Sequence, residues 1–484
     1  MNDAEKITAL LLIIHVVVGF IAAVFIAANR RPSAAIAWVL MIIFVPYLGA
    51  LAFLLVGIGR LPRSRRDKQV EVDALVMERT PGLEQVGHRD EWPTWLGSAA
   101  RLNRTLGALP MVGGNRIDLL DDYEGSILAM ARDVDAATDH VHVEFYILVL
   151  DDTTEPFFAA LRRATARGVT VRVLSDHLAG LMGANRRETI AAFSEMGAEW
   201  HAMLPLRPLS GQWQRPDLRN HRKLLVVDGR VGYTGSQNLI DSSYLKPKNI
   251  ARGLHWHELM VRIEGPAVRE LNAVFLTDWY SETDEQLPPD TSPVLLPDDV
   301  DRLDSQVLPS GPSFENDNNL KLYALLIHNA VDRVSITSPY FVPEESVMLA
   351  ILTAASRGVD VELFVSAIGD QFLVYHAQRS YYEALLRAGV AIYLYREPTV
   401  LHAKHFTIDD DVAVVGSSNM DNRSFSLNME VSLLVHGTDF VDRMRSIQDG
   451  YRENSDRLEL DDWVSRPVGQ KVRDNLARLT SAVQ

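Results

Sequence analysis

Hydrophobic residues form two long uncharged runs at the start of the chain, residues 7–28 and 34–59. At about 1.5 Å per helical residue, each run is long enough to cross a hydrocarbon layer of roughly 30 Å. Between them lie residues 29–33, in which Pro32 breaks any helix. The pattern predicts a transmembrane helical hairpin, and Pro46 leaves room for a kinked or re-entrant second segment.

Basic residues near the ends of these runs predict how the hairpin is oriented. Asp3 and Glu5 precede the first run without a clearly basic region, which disfavours a cleaved signal peptide. Basic residues outside the hairpin outnumber the Arg30 and Arg31 of its turn, and they are Lys6, Arg60, Arg63, Arg65, Arg66 and Lys68. Basic flanks are retained in the cytoplasm. We therefore expect a multi-pass protein of the inner (cytoplasmic) cell membrane whose remaining residues face the cytoplasm.

After residue 122 the pattern alternates between strand and helix signals. It predicts a strand over residues 141–148, a helix over 155–167 and a strand over 169–174. The same order returns later, with a strand over 334–342 and a helix over 345–357. This alternation is typical of α/β layers, and its recurrence predicts two tandem α/β/α lobes.

The predicted organisation has five parts. They are two transmembrane helices over residues 1–59, a juxtamembrane connector over 60–110, a first lobe over 111–281, a linker over 282–304 and a second lobe over 305–484. The linker is acidic and rich in proline, which suits a surface segment. In the connector, Trp92 and Trp95 are expected either at the lipid headgroups or against the first lobe.

Composition narrows the class of protein. The 484 residues are 47% hydrophobic and 23% charged, as in a folded protein of two or three domains. The net charge of −15 argues against a general nucleic-acid binder, which needs basic surface. The sequence has no cysteine, so disulfides, thiol nucleophiles and thiolate metal sites are excluded.

One array of polar residues occurs twice with identical internal spacing. Each copy consists of His-x-Lys, an aspartate and a Gly-Ser-x-Asn sequence, namely His221, Lys223, Asp228, Gly235, Ser236 and Asn238, and then His402, Lys404, Asp409, Gly416, Ser417 and Asn419. A single His-x-Lys is common on surface strands. Two matched arrays indicate that one active site is built from two half-sites.

Strand geometry suggests a reason for the spacing. In a strand, His221 and Lys223 lie on the same face. Asp228 and the glycine after it form a hairpin-turn signal, and counting back from that turn places Ser236 roughly opposite His221. In the second array the count places Ser418 roughly opposite His402.

The aspartates and two later glutamates receive different interpretations. At about 3.3 Å per residue, Asp228 lies roughly 23 Å along the strand from its histidine, too far to orient it. Asp228 and Asp409 are therefore interpreted as turn residues. Glu258 and Glu430 follow the motifs at matched positions and are the better candidates for carboxylates behind the histidines, where they would fix the tautomer.

These residue types suit exchange at a phosphodiester, which needs a nucleophile, an acid and donors to the phosphoryl oxygens. One imidazole attacks phosphorus and the other protonates the departing alkoxide, without a metal or another cofactor. We expect His221 as the nucleophile and His402 as the acid and base, although the repeat makes these roles nearly interchangeable. The lysines and four residues of the tetrapeptides would hold the phosphoryl oxygens, namely Ser236, Asn238, Ser417 and Asn419.

The arrays resemble the HxKxxxxD signature of the phospholipase D superfamily, in which His221, Lys223, Asp228, His402, Lys404 and Asp409 would count as catalytic. The chain resembles the bacterial cardiolipin synthases of that superfamily over nearly its whole length. The resemblance includes the segments 144–148, 219–223, 338–343, 379–382 and 401–404. Thr399 and Val400 stand where many members carry Gly-Phe or Gly-Met, a departure that concerns the acceptor or the membrane-facing lip of the site more than the chemistry.

The resemblance implies two phospholipase D-like lobes that make cardiolipin from two phosphatidylglycerol molecules and release glycerol. Phosphatidylglycerol, anionic lipids and the membrane would be its partners, with no nucleic acid. A membrane phospholipase D hydrolase and a phosphodiesterase or nuclease are the alternatives. A scaffold with a dead site would require a lost motif residue, and none is lost. The sequence does not indicate an oligomeric state.

Overall fold

The computed structural model describes most of the chain. The described residues are 19–26, 32–57, 61, 63–79, 89–107, 109–207, 214–288, 303–314 and 317–481, with Asp3, Ala9, Ile13 and Val17. The chain divides into two compact units. One comprises Met1–Arg60 and Trp213–Asp217, and the other comprises Leu61–Gln212 and Leu218–Gln484.

Helices form the N-terminal unit wherever its apolar residues are described. Residues 19–26 are helical, and the helices Pro32–Phe44 and Pro46–Val56 are separated at Val45. The ring of Phe53 lies edge-on to Trp38 at 5.3 Å and to Phe25 at 6.3 Å, so the two apolar runs pack together.

The second apolar run is thus interrupted at Val45, where Pro46 begins a new helix. Among the residues described, none of the helices combines the length and the apolar character needed to cross a bilayer. Residues 29–31 of the predicted turn lie outside the described residues.

Among the described residues, the larger unit is built on a sheet of 16 strands. Its strands, with four short ones that pair beside it, are β1 (Val112–Leu120), β2 (His140–Phe145), β3 (Thr170–Asp176), β4 (Glu199–Met203), β5 (Arg219–Asn220), β6 (Lys223–Val227), β7 (Val231–Gly235), β8 (His255–His257), β9 (Met260–Glu264), β10 (Leu303–Ser310), β11 (Arg333–Thr337), β12 (Phe341–Val342), β13 (Asp360–Ser366), β14 (Ala391–Tyr395), β15 (Thr399–Leu401), β16 (His405–Ile408), β17 (Val412–Gly416), β18 (Met420–Asp421), β19 (Asn428–His436) and β20 (Ser455–Arg457).

Helices cover this sheet. They are Arg63–Arg79, Leu96–Gly107, Tyr123–Asp135, Glu155–Ala166, His177–Met182, Arg186–Met196, Pro247–Ala251, Ala267–Thr283, Asn318–Asn329, Glu345–Ser356, Phe372–Arg379, Tyr382–Arg387, Asn422–Ser426, Thr438–Glu453, Leu460–Val464 and Val468–Arg478, with one 3₁₀ turn at Arg89–Glu91.

Strand order confirms the internal duplication. The first lobe runs β1-β9-β7-β6-β2-β3-β4, and the second runs β10-β19-β17-β16-β11-β13-β14 with β20 added at its edge. In each lobe a crossover helix, Glu155–Ala166 or Glu345–Ser356, precedes a parallel strand, because parallel neighbours cannot be joined by a tight turn. The antiparallel pair β1 and β10 joins the lobes into one sheet.

The connector predicted over residues 60–110 packs as part of this unit. Arg65 forms a two-pronged ion pair with Glu282, with both N–O distances at 2.7 Å. Nε1 of Trp92 donates to Asp304 at 2.7 Å, and Trp92 and Trp95 pack against the core of the second lobe. The predicted packing against the first lobe is therefore wrong, because an apolar surface of the second lobe takes up these tryptophans, and the position at the lipid headgroups stays a prediction. Residues 289–302 of the predicted linker lie outside the described residues.

The glycine of each tetrapeptide brings two strands unusually close. A Cβ on Gly235 would lie 2.3 Å from the carbonyl oxygen of Leu259, and one on Gly416 would lie 2.4 Å from that of Val431. Only glycine permits this approach. Leu259 and Val431 each follow one of the predicted glutamates, so the glycines set the distance between motif and carboxylate.

The motif segment departs from the predicted strand. β6 begins at Lys223, and His221 lies in a break between β5 and β6. Leu224 pairs with Thr234, one position away from the predicted register, because Arg230 adds a third residue to the turn. The second hairpin pairs His405 with Val415, which is the predicted register that places Ser418 opposite His402.

Candidate active site

Each histidine of the repeated motif follows a short strand that pairs with the other lobe. β5 pairs in parallel with the start of β19, and β15 pairs in parallel with β8. The backbone N–H of His221 then donates to the carbonyl of Met429 at 2.8 Å, and that of His402 donates to the carbonyl of His257 at 2.8 Å. The residue after each accepting carbonyl is a glutamate, which is thereby placed beside the histidine of the other lobe.

The carboxylates and the histidines are paired crosswise. Nδ1 of His221 lies 2.9 Å from Oε2 of Glu430, and Nδ1 of His402 lies 2.7 Å from Oε1 of Glu258. Because Nδ1–H donates to the carboxylate, the lone pair of each neutral ring is at Nε2. The structure thus brings both predicted glutamates to the histidines, with neither histidine bonded to the glutamate of its own lobe.

Both imidazoles border one cavity of about 1040 Å³. Its polar lining includes Tyr146, Tyr244, Tyr340, Arg219, Arg423, Asn238 and Asn419, and its apolar lining includes Ile147, Ile240, Leu245, Trp256, Phe372, Leu373 and Val374. The cavity therefore combines polar side chains with apolar ones, which suits a ligand with a charged group and hydrocarbon chains.

The two lysines are held beside their own histidines. Nζ of Lys223 donates to the carbonyl of His221 at 2.6 Å, and Nζ of Lys404 donates to that of His402 at 2.6 Å. Nζ of Lys404 also lies 3.3 Å from Nε2 of His402. Burial lowers the pKa of Lys223 to about 7 and that of Lys404 to about 8. An anion in the cavity would restore their full charge.

The two halves differ in their electrostatics. Burial raises the pKa of Glu430 to about 7, despite Lys223 and several hydrogen bonds. The pKa of Glu258 is lowered, because the attraction of His402 and Lys404 outweighs its burial. Burial and the nearby lysines place the pKa of His221 well below its usual value. His221 is thus held neutral, while His402 faces the more firmly ionised carboxylate.

The two serines do not take the predicted place on the phosphoryl oxygens. Oγ of Ser417 donates to Glu430 at 2.6 Å and accepts from the N–H of Val431 at 2.9 Å. Oγ of Ser236 accepts from the N–H of Leu259 at 2.9 Å. Neither is among the residues that line the cavity. Because the strands lie close together, both hydroxyls form hydrogen bonds with the segments that carry the glutamates. The serines thereby position the carboxylates.

Both asparagines line the cavity, as a phosphoryl-binding role requires. Oδ1 of Asn238 accepts from the N–H of Ile147 at 3.2 Å, and its Nδ2 donates to the hydroxyl of Tyr244 at 2.9 Å. Asn419 is 3% exposed, and its Oδ1 has no hydrogen-bond partner in the part of the chain that the structure describes. Asn419 therefore uses less of its hydrogen-bonding capacity within the protein than Asn238 does.

The motif aspartates lie at the hairpin turns. Both have positive φ, 51° at Asp228 and 49° at Asp409. Asp228 accepts from the backbone N–H groups of Thr138, Asp139 and His140 at 2.8 to 2.9 Å. Asp409 accepts in the same way from Val331, Asp332 and Arg333. These carboxylates fix the turns to the preceding strands and lie apart from the imidazole pair, although the signature counts them as catalytic.

Three tyrosines were missed as site residues by the sequence reasoning. The ring of Tyr146 lies 5.0 Å from that of His221, and the rings of Tyr340 and Tyr244 lie 6.0 and 6.4 Å from that of His402. Tyr146 and Tyr340 follow the matched strands β2 and β11, a signal that the repeat itself contains. Nothing in the sequence points to Tyr244.

Comparisons with known proteins agree with this arrangement. The model of the family described as "Cardiolipin synthase, PLD-like domain" matches residues 130–279 and 323–450. A second model, "Phospholipase_D-nuclease N-terminal", matches residues 16–57.

Similar curated proteins include cardiolipin synthase A of Proteus mirabilis, which is 32% identical over 93% of this chain and 92% of its own length. The enzyme of the same name from Wigglesworthia glossinidia brevipalpis is 32% identical over 92% and 90%, respectively. Among solved structures, phosphatidylserine synthase of Haemophilus influenzae matches 79% of this chain and 99% of its own with a TM-score of 0.57 and 14% identity. That likeness concerns the fold alone.

Proposed function

The chain belongs to the cardiolipin synthase family of phospholipase D-like proteins and is a phosphatidyltransferase that forms cardiolipin, and we propose that its two half-sites perform the transfer through a covalent phosphohistidine. The observation that carries this proposal is the crosswise pairing of His221 with Glu430 and of His402 with Glu258. It provides two oriented imidazoles on one cavity.

In the first step, Nε2 of His221 attacks the phosphorus of one phosphatidylglycerol. The P–N bond forms as the bond from phosphorus to the headgroup glycerol oxygen breaks. His402 donates its proton to that oxygen, and glycerol leaves. Lys223, Lys404 and the two asparagines stabilise the charge on the phosphoryl oxygens.

In the second step, the terminal hydroxyl of another phosphatidylglycerol replaces the histidine. His402, now neutral, accepts the proton of that hydroxyl as its oxygen attacks phosphorus. The P–N bond breaks, and cardiolipin forms. Water would give phosphatidic acid from the same intermediate, so the apolar lining of the cavity favours transfer by excluding water and holding lipid.

The difference between the two halves supports this assignment of roles. A nucleophile must be unprotonated, and His221 is the ring whose pKa is held well below its usual value by burial and neighbouring cations. An acid must be protonated in the resting site. Burial lowers the pKa of His402 as well, but the charge that Glu258 keeps through its own lowered pKa offsets part of this effect and favours protonated His402.

We further propose that the N-terminal unit anchors the protein in the inner membrane with the lobes in the cytoplasm. The large exposed apolar side chains of that unit support an apolar environment, among them Phe20 at 70%, Phe44 at 78% and Leu48 at 61% exposed. The distribution of basic residues around the two runs supports the orientation.

One assay tests the proposed function against its alternatives. Purified protein in vesicles receives phosphatidylglycerol labelled in the phosphate, and the products are separated by chromatography. Cardiolipin with released glycerol is expected. Phosphatidic acid as the sole product would point to a hydrolase, and cleavage of oligonucleotides without lipid turnover would point to a nuclease.

A rapid quench tests the intermediate. Phosphohistidine is stable to alkali and labile to acid, so the quenched wild-type protein should carry alkali-stable label. His221→Ala should carry none. A matched control is His140→Ala, which alters a histidine beside the Asp228 turn and should label as the wild type does. Label retained by His221→Ala would refute the assigned nucleophile.

A further inference from the structure

The helix Val468–Arg478 presents apolar side chains away from the protein. Val468 is 73% exposed, Val472 is 50% exposed and Leu476 is 60% exposed. Leu479, just beyond the helix, is 79% exposed. These four recur at helical spacing, so they form one continuous stripe.

The opposite face of this helix is buried and carries a carboxylate. Asp474 is 1% exposed and accepts from Nδ1 of His376 at 2.8 Å, from Arg379 at 3.3 Å and from Arg466 at 2.9 Å. Ala477 is buried beside it at 6% exposure. Surface helices usually pack on the protein through their apolar face. This helix instead attaches through ion pairs and exposes its apolar residues to the solvent.

Basic side chains flank the apolar stripe, and their charge indicates which kind of surface the stripe binds. At about 100° per residue, the stripe spans roughly 80° of the helix. Arg473 lies on one side of it, and Lys471 and Arg478 lie on the other. The one acidic residue of the helix is the buried Asp474. An apolar face with basic margins is the pattern of a helix that lies in the surface of an anionic bilayer.

This helix is connected to the cavity of the active site. It packs on the helix Phe372–Arg379, whose first two residues both line the cavity and are largely exposed, Phe372 at 65% and Leu373 at 50%. The ring of Phe372 lies 4.4 Å from that of His376, which bonds Asp474. At the other end, Thr480 also lines the cavity.

We propose that Val468, Val472, Leu476, Leu479, Phe372 and Leu373, called here the docking face, insert into the surface of an anionic bilayer and open the cavity directly to the lipid. The inference rests on the proposed function, because only a lipid substrate needs such an entrance. The substrate then reaches the histidines without leaving an apolar environment.

A second copy of the chain is the alternative partner for the docking face, but the face is too small for a stable protein interface. A stable protein interface takes about 20 to 30 residues from each side. Six side chains fall short of that number, and the stripe of the helix would meet its own basic margins in a symmetric pair. A bilayer of phosphatidylglycerol matches both the apolar stripe and the charge.

A paired activity measurement tests the inference. Val472→Asp with Leu476→Asp should lower kcat/KM on phosphatidylglycerol vesicles on the order of tenfold, because the added charges oppose insertion. In mixed detergent micelles, where substrate exchanges freely, the same variant should match the wild type. The control is Leu128→Asp with Leu349→Asp, which places the same charges on side chains 47% and 60% exposed elsewhere. It should match the wild type in both assays.

The outcomes separate this inference from the proposed function. Wild-type protein without cardiolipin synthesis in either medium would refute the function itself. Wild-type rates for the docking-face variant on vesicles would overturn the inference alone. Equal losses in vesicles and micelles would also overturn it, because they indicate damage to the catalytic unit.

A direct probe is available because the sequence has no cysteine. Leu476→Cys in the full chain provides a single thiol for an environment-sensitive fluorophore. On vesicles that contain brominated phosphatidylglycerol, the fluorescence should be quenched, while a label at Leu349→Cys should be unaffected. Absence of quenching, or energy transfer between labelled copies in its place, would overturn the inference.

Discussion

Glu258→Gln and Glu430→Gln should each lower activity, but the two losses should depend on pH in different ways. This difference is expected although the two carboxylates occupy equivalent positions in the repeat. Both substitutions remove a negative charge behind a histidine and leave a side chain of nearly the same shape. A carboxylate that orients a histidine contributes about 10²-fold or more to activity in comparable sites. We therefore expect Glu258→Gln to lower kcat/KM on the order of a hundredfold across the neutral range.

For Glu430→Gln the defect should shrink as the pH falls. Burial raises the pKa of Glu430 to about 7, so its charged form predominates above pH 7 and is lost below it. At pH 6 only about one tenth of it is ionised. A hundredfold defect at pH 8 should then fall to about tenfold at pH 6, because wild-type protein has itself lost most of the charge. The pKa of Glu258 is lowered, so its variant has no such dependence in this range.

The assay is initial-rate cardiolipin synthesis from labelled phosphatidylglycerol between pH 5.5 and 8.5, expressed as the ratio of wild type to variant. The ratio cancels the titration of groups that lie away from the substituted carboxylate. Thermal unfolding of each variant provides the control, because Ser417, Ser424 and Asn428 all donate to Glu430 and a glutamine cannot accept all three bonds. A ratio for Glu430→Gln that does not change with pH would refute the reasoning, as would a Glu258 ratio that falls with it.

Four further variants should separate catalysis from stability. His221→Ala and His402→Ala should each abolish turnover on vesicles while the urea midpoint stays within error of the wild type. Asp228→Asn should lower the free energy of unfolding by about 1 to 3 kcal/mol, because it weakens bonds to several backbone N–H groups; full stability with lost activity would contradict the turn interpretation. Arg222→Met should cost about 3 to 5 kcal/mol, because it leaves the fully buried Asp278 without its cation, and poor recovery of folded protein is its first sign.

The repeat made most of the fold predictable from sequence. The helix predicted over residues 155–167 is present as Glu155–Ala166, and the strand predicted over residues 169–174 is present as Thr170–Asp176. These elements were predictable because their hydrophobic residues recur with a clear period. The register of the first hairpin was wrong by one residue because the signal of Asp228 and Gly229 suggested a two-residue turn, whereas Arg230 belongs to it as well.

The site was less predictable where it depends on contacts between the lobes. Spacing alone suggested that Glu258 and Glu430 stand behind the histidines, but it does not reveal which histidine each one bonds. That choice is made by the pairing of β5 with β19 and of β15 with β8, which joins residues more than a hundred positions apart. The serines were misinterpreted for the same reason, since their hydroxyls are taken by neighbouring strands that no local pattern identifies.

Crosswise pairing also explains why the site requires both copies of the repeat. If each glutamate bonded the histidine of its own lobe, the lobes could move apart without disturbing either imidazole. Because Glu430 orients His221 and Glu258 orients His402, any shift of one lobe against the other misaligns both rings. One of these strand pairs, β5 with β19, lies next to β10 at the junction of the lobes in the continuous sheet, and the other, β15 with β8, forms a separate two-stranded sheet. The sheet therefore fixes the position of nucleophile and acid relative to one phosphorus atom, which two exchanges at the same centre require.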